Sequence, residues 1–443
     1  MKCYLAQALS SGYKDSAVQL LSRYQVSVGD SIKITTQEGE ISGVLMPRYE
    51  SASKDYIVVK MKSGYNTGVE IAKIKSIEKL DSARPQPAPS PVVKPTDNSK
   101  PKISLISTGG TIASKIDYRT GGVRAALSAE ELYASVPELA GYASVDPEVL
   151  MSEYSENLKP DHWTKIAEKV AEKASTGKYD GIVVSHGTDT MHYTSAALSF
   201  ALQNLPIPVV LVGAQRSSDR PSSDAALNLL GATIFAAGAN AAGVFVAMHA
   251  TNSDETVACH IGTRVRKNHT SRRDAFESID TKPAALVRDG KIEMSGVSLP
   301  PRAQRDMVVK PAFDSRAILL KYFPGFNPAL IDSVVDSGYR AIILEGTGLG
   351  HVSRDCFSSL KKAVGSGLMV CMTSQCIWGR VRMTVYDTGR DLLDIGVIPL
   401  SDMTSETATV KAMWALANSK DLDSAKALML QNIAGEISAA IPV

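Results

Sequence analysis

Four stretches of this chain carry reactive side chains where a strand-like run ends. In ISLISTGGTIAS, residues 103–114, Thr108 follows a short apolar alternation and precedes two glycines. In SHGTDT, Thr188 and Asp189 come just after GIVV, and in the polar turn after EVLMSEY stand Ser155, Glu156 and Asn157. RVRKNHTSRRDAF places Lys267 in a charged loop after the strand-like GVFVAM. In open parallel sheets a ligand sits outside the carboxyl ends of the strands, so all four stretches can serve one site.

Two chemistries compete for T-G-G-T. Glycines after a strand often cradle phosphate, but a Walker loop needs G-x-x-x-x-G-K-[ST] and a dinucleotide fingerprint needs G-x-G-x-x-G. Neither spacing is present here. What remains is a hydroxyl on a flexible loop, a nucleophile only if a neighbour removes its proton. Thr188, Asp189 and Lys267 offer a hydroxyl, a carboxylate and an amine, and a lysine serves as base where burial or a neighbour favours its neutral form. Each piece also has a plain reading. T-D-T at a strand end can cap the next helix, TGG can be a tight turn, and Lys267 can be a solvated charge.

Length and composition bound the rest. At 443 residues the chain exceeds the roughly 100–200 residues of one domain, so two or three are expected. Lys+Arg 48 against Asp+Glu 46 leaves a formal charge of +2, which argues against a nucleic-acid grip carried by net charge, though not against a local basic face. The five cysteines, Cys3, Cys259, Cys356, Cys371 and Cys376, are odd in number and form no C-x-x-C pair, which favours a reducing compartment over a disulfide framework or a zinc site. Cys371 and Cys376 are expected to be buried small hydrophobes. The seven histidines, among them His186, His192 and His351, form no ligand spacing, and His186 is expected to pack at its strand end. The start reads as no signal peptide, and no apolar run reaches the ~20 residues of a membrane span, so the expectation is a cytoplasmic protein.

The clearest seam is residues 81–102, where five prolines from Arg84 to Pro95 inclusive predict an extended spacer. Before it, residues 1–80 predict a small all-β barrel over about 25–80, from their period-two alternation and Gly-containing turns, with a short helical or unsettled arm ahead of it. After it, apolar runs such as KISLIS, PVVLVGA, AIILEGTG and LMVCMTS alternate with helix-like HWTKIAEKVAEKA, SDAALNLLGATIFAA and RDCFSSLKKAVGSG. That texture predicts an α/β fold built on a doubly wound parallel sheet. Paired prolines and charges at 297–314 divide it into domains at 103–296 and 315–443.

The combination of ISTGGTIAS, VVSHGTDT, LVGAQRSSD and the lysine loop resembles the L-asparaginase family of amidohydrolases, from residue 103 to the C-terminus. The resemblance implies a two-lobed asparaginase-like parallel-sheet fold with Thr108 as primary nucleophile. It implies Thr188, Asp189 and Lys267 as a second catalytic group, Tyr118 in IDYRTGG as a mobile-loop residue that activates Thr108, and Ser155 and Glu156 as the grip on the substrate's α-carboxylate and α-ammonium. Backbone N–H groups around Gly110 and Thr188 would hold the oxyanion.

The chain departs from plain asparaginases in residues 1–80 and in a turn that reads S-E-N where bacterial asparaginases typically have S-Q-D. With LEGTGLGHV, TSQCIWGRV, YDTGRDLLDIGVI and DMTSETATVKAMW, it is similar to the GatD family, the asparaginase-like subunits of archaeal-type glutamyl-tRNA(Gln) amidotransferases. That resemblance implies a glutaminase half without a cofactor of its own. Its ammonia would pass to a partner subunit, GatE, which uses ATP and Mg²⁺ to convert Glu-tRNA(Gln) to Gln-tRNA(Gln). It further implies a homodimer core carrying two GatE chains, a heterotetrameric ligase. The N-terminal barrel is expected to dock the partner, and Arg272 and Arg273 to pair with acidic neighbours or to touch tRNA. A free-standing L-asparaginase or glutaminase, and a non-catalytic scaffold, stay open as alternatives. The preference for glutamine or asparagine turns on about one methylene of pocket depth, worth ~1–3 kcal/mol.

Overall fold

The computed structural model describes residues 13–48, 55–61, 66–80, 99–110, 112, 114–116, 123–125, 136–216 and 223–439. Tyr118, Cys3 and the proline-rich residues 81–98 lie outside the described residues.

The N-terminal unit opens with helix α1 (Asp15–Arg23) and continues as strands β1 (Ser31–Thr36), β2 (Glu40–Met46), β3 (Tyr56–Met61), β4 (Asn66–Glu70) and β5 (Ile74–Lys79). They form one antiparallel sheet in the order β4-β3-β2-β1-β5. This is the small all-β unit expected ahead of the α/β lobes, and among the described residues no ladder joins β4 to β5. Alternate residues Ile32, Ile34, Leu45, Ile57 and Val59 point inward, and α1 covers them with Ala17 and Leu21. The Tyr13 hydroxyl donates to the Met46 carbonyl at 2.7 Å and accepts from the Val58 N–H at 2.9 Å, fastening the helix to the sheet.

The large lobe is built on β6 (Lys102–Gly109), with the short pair β7 (Ser114–Ile116) and β8 (Val123–Ala125) after it. There follow β9 (Ser144–Glu153), α2 (Pro160–Ser175), β10 (Gly181–Ser185), α3 (Met191–Ala201), β11 (Leu202–Gln203), β12 (Pro208–Val212), α4 (Ala225–Gly238), β13 (Gly243–His249) and β14 (Thr256–Ile261). The hairpin β15 (Val265–Lys267) and β16 (Phe276–Ser278), then β17 (Ala285–Arg288) and β18 (Lys291–Met294), complete it. Eight of these strands form one sheet in the order β18-β17-β14-β13-β12-β10-β6-β9. The five from β9 to β13 run parallel, as expected; β14, β17 and β18 return antiparallel, so the sheet is mixed. Alternation sends Val183, Val210 and Val212 to the face under α4, and Ile182, Val184, Val209 and Leu211 to the face under α2 and α3. Strands covered on both faces need no polar residues, which is why their sequences read as continuous apolar runs.

Between the lobes β19 (Val308–Val309) pairs with β11. The smaller lobe has β20 (Ala317–Lys321), α5 (Ala329–Asp336), β21 (Ala341–Gly346), α6 (Phe357–Gly365), β22 (Met369–Ser374), α7 (Asp387–Ile395), β23 (Ile398–Pro399), α8 (Ser405–Asn418) and α9 (Leu422–Leu430). Its four strands are parallel in sequence order. Helix α3 is buried nearly all round because it lies between the lobes, where Phe200 stacks on Trp414 of α8 with centroids 5.9 Å apart. Cys371 is buried in this core; Cys376 is exposed, contrary to expectation, because it lies beyond the end of β22. No helix among the described residues is long and apolar enough to cross a membrane.

Candidate active site

The order of the large sheet fixes where a site can form. From β6 the chain steps to β9 on one side, then back across to β10, β12 and β13 on the other, so the direction of winding reverses between β6 and β10. Connections diverge at such a point and leave a crevice at the carboxyl ends. Thr108 is the last residue but one of β6, and Thr188 and Asp189 follow β10, the two strands lying on either side of that reversal. The register pairs Ser107 with Ser185, and β6 slips against β9 between Ser107 and Gly109, a bulge that re-aims Thr108. Thr108 is buried, and its Oγ1 donates to the Ser185 carbonyl at 2.7 Å.

The two glycines now have a physical reason. Gly109 and Gly110 hold φ of +106° and +81°, the left-handed region. A Cβ on Gly109 would lie 2.5 Å from the Glu153 carbonyl oxygen, and one on Gly110 would lie 2.3 Å from the Gly187 nitrogen. The end of β6 thus threads between the ends of β9 and β10 with room for backbone alone. Gly187 repeats the constraint, since a Cβ there would stand 2.7 Å from Ser155 Oγ.

Lys267 reaches this corner from the hairpin. Its Nζ donates to Thr188 Oγ1 at 2.9 Å and meets Asp189 Oδ1 at 2.6 Å. The lysine side chain is 7% exposed and the aspartate 67%, so the pair is open to solvent on the carboxylate side only. Lys267 does not sit in a loop after GVFVAM: a further strand, β14, intervenes, and the lysine ends the three-residue β15. Thr190 occupies the N-cap position of α3, yet its Oγ1 donates to the Ser155 carbonyl at 2.7 Å and makes no capping bond. That bond ties the turn after β9, with Ser155 buried and Glu156 exposed, to the T-D-T segment. Thr108, Gly110, Ser155, Thr188, Asp189 and Lys267 therefore converge; Glu156 is the exposed member of the turn, and Tyr118 is not among the described residues.

Two supporting networks reach beyond the sequence motifs. The Gly187 carbonyl can only accept, so His186 Nδ1 must donate to it at 2.6 Å and His186 Nε2 must accept, at 2.8 Å, from Thr194 Oγ1. Thr194 in turn accepts from Trp163 Nε1 at 3.1 Å, which leaves each hydrogen one direction to point. Burial pushes His186 down to about 4, against the pull of its bond to Gly187, so the ring is a neutral strut under the H-G-T-D-T turn. Beside it, buried Asp224 accepts from the Gln215 and Arg216 N–H groups and from Asn228 Nδ2, holding the loop after β12. Polar Asp224 and Asn228, four apart at the start of an apolar helix, are the trace this leaves in the sequence.

Arg272 pairs with Asp274 and Arg273 with Asp254, each at 2.5 Å, as the acidic-neighbour reading expects. Among the described residues no three His, Cys, Asp or Glu side chains are arranged to hold a metal ion.

A buried threonine at a glycine-lined strand end and a Thr-Asp-Lys group after the neighbouring strand, in a two-lobed α/β fold, fit the resemblance to the asparaginase class. Residues 102–298 match the N-terminal asparaginase model, and 316–429 match the glutaminase/asparaginase C-terminal domain. The L-asparaginase of Thermococcus kodakarensis superposes with a TM-score of 0.68 at 34% identity, over 76% of this chain and 100% of that one. Residues 26–80 match the GatD N-terminal domain. The chain is 48% identical over 426 residues to the GatD subunit of the glutamyl-tRNA(Gln) amidotransferase of Pyrococcus furiosus, covering 95% of this chain and 97% of the relative. It is 46% identical over 428 residues to the same subunit from Sulfolobus acidocaldarius, covering 96% and 95%. The chain belongs to the GatD family of glutamyl-tRNA(Gln) amidotransferase subunits.

Proposed function

We propose that this chain is the ammonia-releasing amidohydrolase subunit of a glutamyl-tRNA(Gln) amidotransferase. The observation that carries the reading is the contact of Lys267 Nζ with both Thr188 and Asp189, on the far side of the sheet's switch point from Thr108. Its wider context is near-full-length similarity to relatives bearing that subunit's name.

In this reading Thr108 Oγ1 gives up its proton and attacks the side-chain amide carbon of glutamine. Tyr118 is the residue assigned to activate Thr108, and the proton passes on to the leaving nitrogen. Backbone N–H groups around Gly110 and Thr188 hold the oxyanion, each such donor being worth ~2.7–4 kcal/mol of barrier where one has been removed. The C–N bond breaks, the nitrogen leaves with a proton as ammonia, and a threonyl ester remains. Water then cleaves the ester, giving glutamate and restoring the hydroxyl. Thr188 relays a proton from that water to Lys267, Asp189 holds the ammonium that forms, and the proton returns to the Thr108 oxygen as the ester breaks. Ser155, at the turn bonded to Thr190, and exposed Glu156 bind the α-carboxylate and α-ammonium.

Ammonia then passes to GatE, which uses ATP and Mg²⁺ to activate the glutamate of Glu-tRNA(Gln), in an assembly of two copies of each chain. The small all-β domain of residues 26–80 is assigned to the partner, and the domain divisions are those at 81–102 and 297–314. A free-standing asparaginase or glutaminase is the second reading, favoured by the likeness of 76% of the chain to a solved L-asparaginase. Thr108→Ala and Lys267→Ala should each abolish ammonia release from glutamine with the circular dichroism spectrum unchanged. A variant with normal turnover removes its residue from the mechanism.

A further inference from the structure

The strand that delivers Lys267 is too short to fix it alone. β15 has three residues and, among the described residues, pairs on one side only, with β16, and an isolated two-stranded ribbon has little stability of its own. Successive side chains on a strand point to opposite faces. Val265 enters the core of the large lobe, and Lys267, two residues on, turns toward Thr188. Arg264 and Arg266 face the other way, into the smaller lobe.

Both arginines are met there by carboxylates from one short stretch, DMTSE. Arg264 Nη2 donates to Asp402 Oδ2 at 3.1 Å, both groups almost wholly buried, and its Nε donates to the Gly435 carbonyl at 2.8 Å. Arg266 Nε donates to Glu406 Oε1 at 2.7 Å. Asp402 and Glu406 straddle Thr404, the N-cap of α8, whose side chain accepts from the Thr407 N–H and fixes the helix start. Just before the strand, the Thr263 carbonyl accepts from Thr407 Oγ1 at 3.0 Å, and Thr263 Oγ1 donates to the Ala434 carbonyl at 2.9 Å.

We infer that Arg264 and Arg266, held by Asp402 and Glu406, are positioning residues that clamp the far face of β15 and so set Lys267 Nζ against Thr188 and Asp189. The amine of one lobe is thereby aligned by a helix start of the other. This rests on the reading of Lys267 as part of the second catalytic group. Position matters steeply in such sites, where a misplacement of ~1 Å can cost about 10²-fold in rate.

The test uses the less buried pair, because removing one member of the Arg264/Asp402 pair risks a chain that does not fold. Arg266→Ala, Glu406→Ala, their double variant and Arg266→Lys are measured in the full chain beside Lys267→Ala. Each single alanine variant is expected to lower kcat for ammonia release about tenfold or more, with KM within about twofold. The double variant should lose no more than the worse single, since the pair acts as a unit, and Arg266→Lys should recover part of the loss. The clamp is overturned if Glu406→Ala turns over normally while Lys267→Ala is inactive, if the two losses add, or if the loss vanishes when assayed well below each variant's melting temperature. An active Lys267→Ala overturns instead the reading on which the clamp rests.

Discussion

Replacing Gly110 with alanine should damage the catalytic corner without touching a reactive side chain. The new Cβ would lie 2.3 Å from the Gly187 nitrogen and 2.5 Å from the His186 carbonyl carbon, all backbone atoms that cannot rotate away. To reach ordinary contact at about 3.5 Å, the ends of β6 and β10 must part by about 1 Å. The φ of +81° adds a left-handed penalty of roughly 1–2 kcal/mol for alanine, and overpacking typically adds ~1–3 kcal/mol. The expected destabilisation is therefore about 2–5 kcal/mol, a fall in melting temperature of about 5–15 °C for a lobe of this size. The same displacement moves Thr108 relative to Thr188, and about 1 Å is enough to cost about 10²-fold in kcat. Gly177→Ala is the control. Its φ is +64°, but nothing lies within 4 Å of the added carbon, so it should cost about 1 kcal/mol and leave kcat alone. Scanning calorimetry and ammonia release from glutamine give both readouts. A Gly110→Ala protein that melts and turns over like the parent would refute the close-approach argument.

Two further outcomes follow from buried charge. Asp402→Ala strands the buried Arg264 guanidinium, and breaking such a pair costs about 3–5 kcal/mol, to be read as a shifted urea midpoint; an unmoved midpoint contradicts the burial argument. His186, His192 and His260 are each pushed down to about 4 by burial, whereas in an unfolded chain they take up protons near pH 6.5. Between those values the unfolded state binds more protons, so stability is full above about pH 6.5 and falls as pH drops toward 4, by roughly 3 kcal/mol for His186 alone. Melting temperature measured from pH 7.5 down to 4.5 should decline, and a flat profile would contradict neutral burial of these rings.

The parallel core was readable because strands covered on both faces need nothing polar, so GIVV, PVVLV and GVFVAM announce themselves. TVACHI escaped for the opposite reason: the threonine, cysteine and histidine of β14 interrupt the apolar run, although all three are buried. Without that strand Lys267 reads as a loop residue, and the hairpin that carries it stays invisible. Thr108, Thr188 and Asp189 were legible because motif and strand end coincide. The strut of Trp163, Thr194 and His186, and the pairing of Arg264 with Asp402, join residues far apart in sequence, and no local spacing encodes which partners meet. The same holds for Cys376, whose exposure depends on where β22 stops.

The most direct test of the central claim is ammonia release from glutamine by the isolated chain, repeated with GatE, ATP, Mg²⁺ and Glu-tRNA(Gln). The account predicts feeble hydrolysis alone, a sharp rise in the full mixture with Gln-tRNA(Gln) formed, and loss of both in Thr108→Ala. High turnover by the isolated chain, indifferent to every addition, would contradict it and make this a free-standing amidohydrolase.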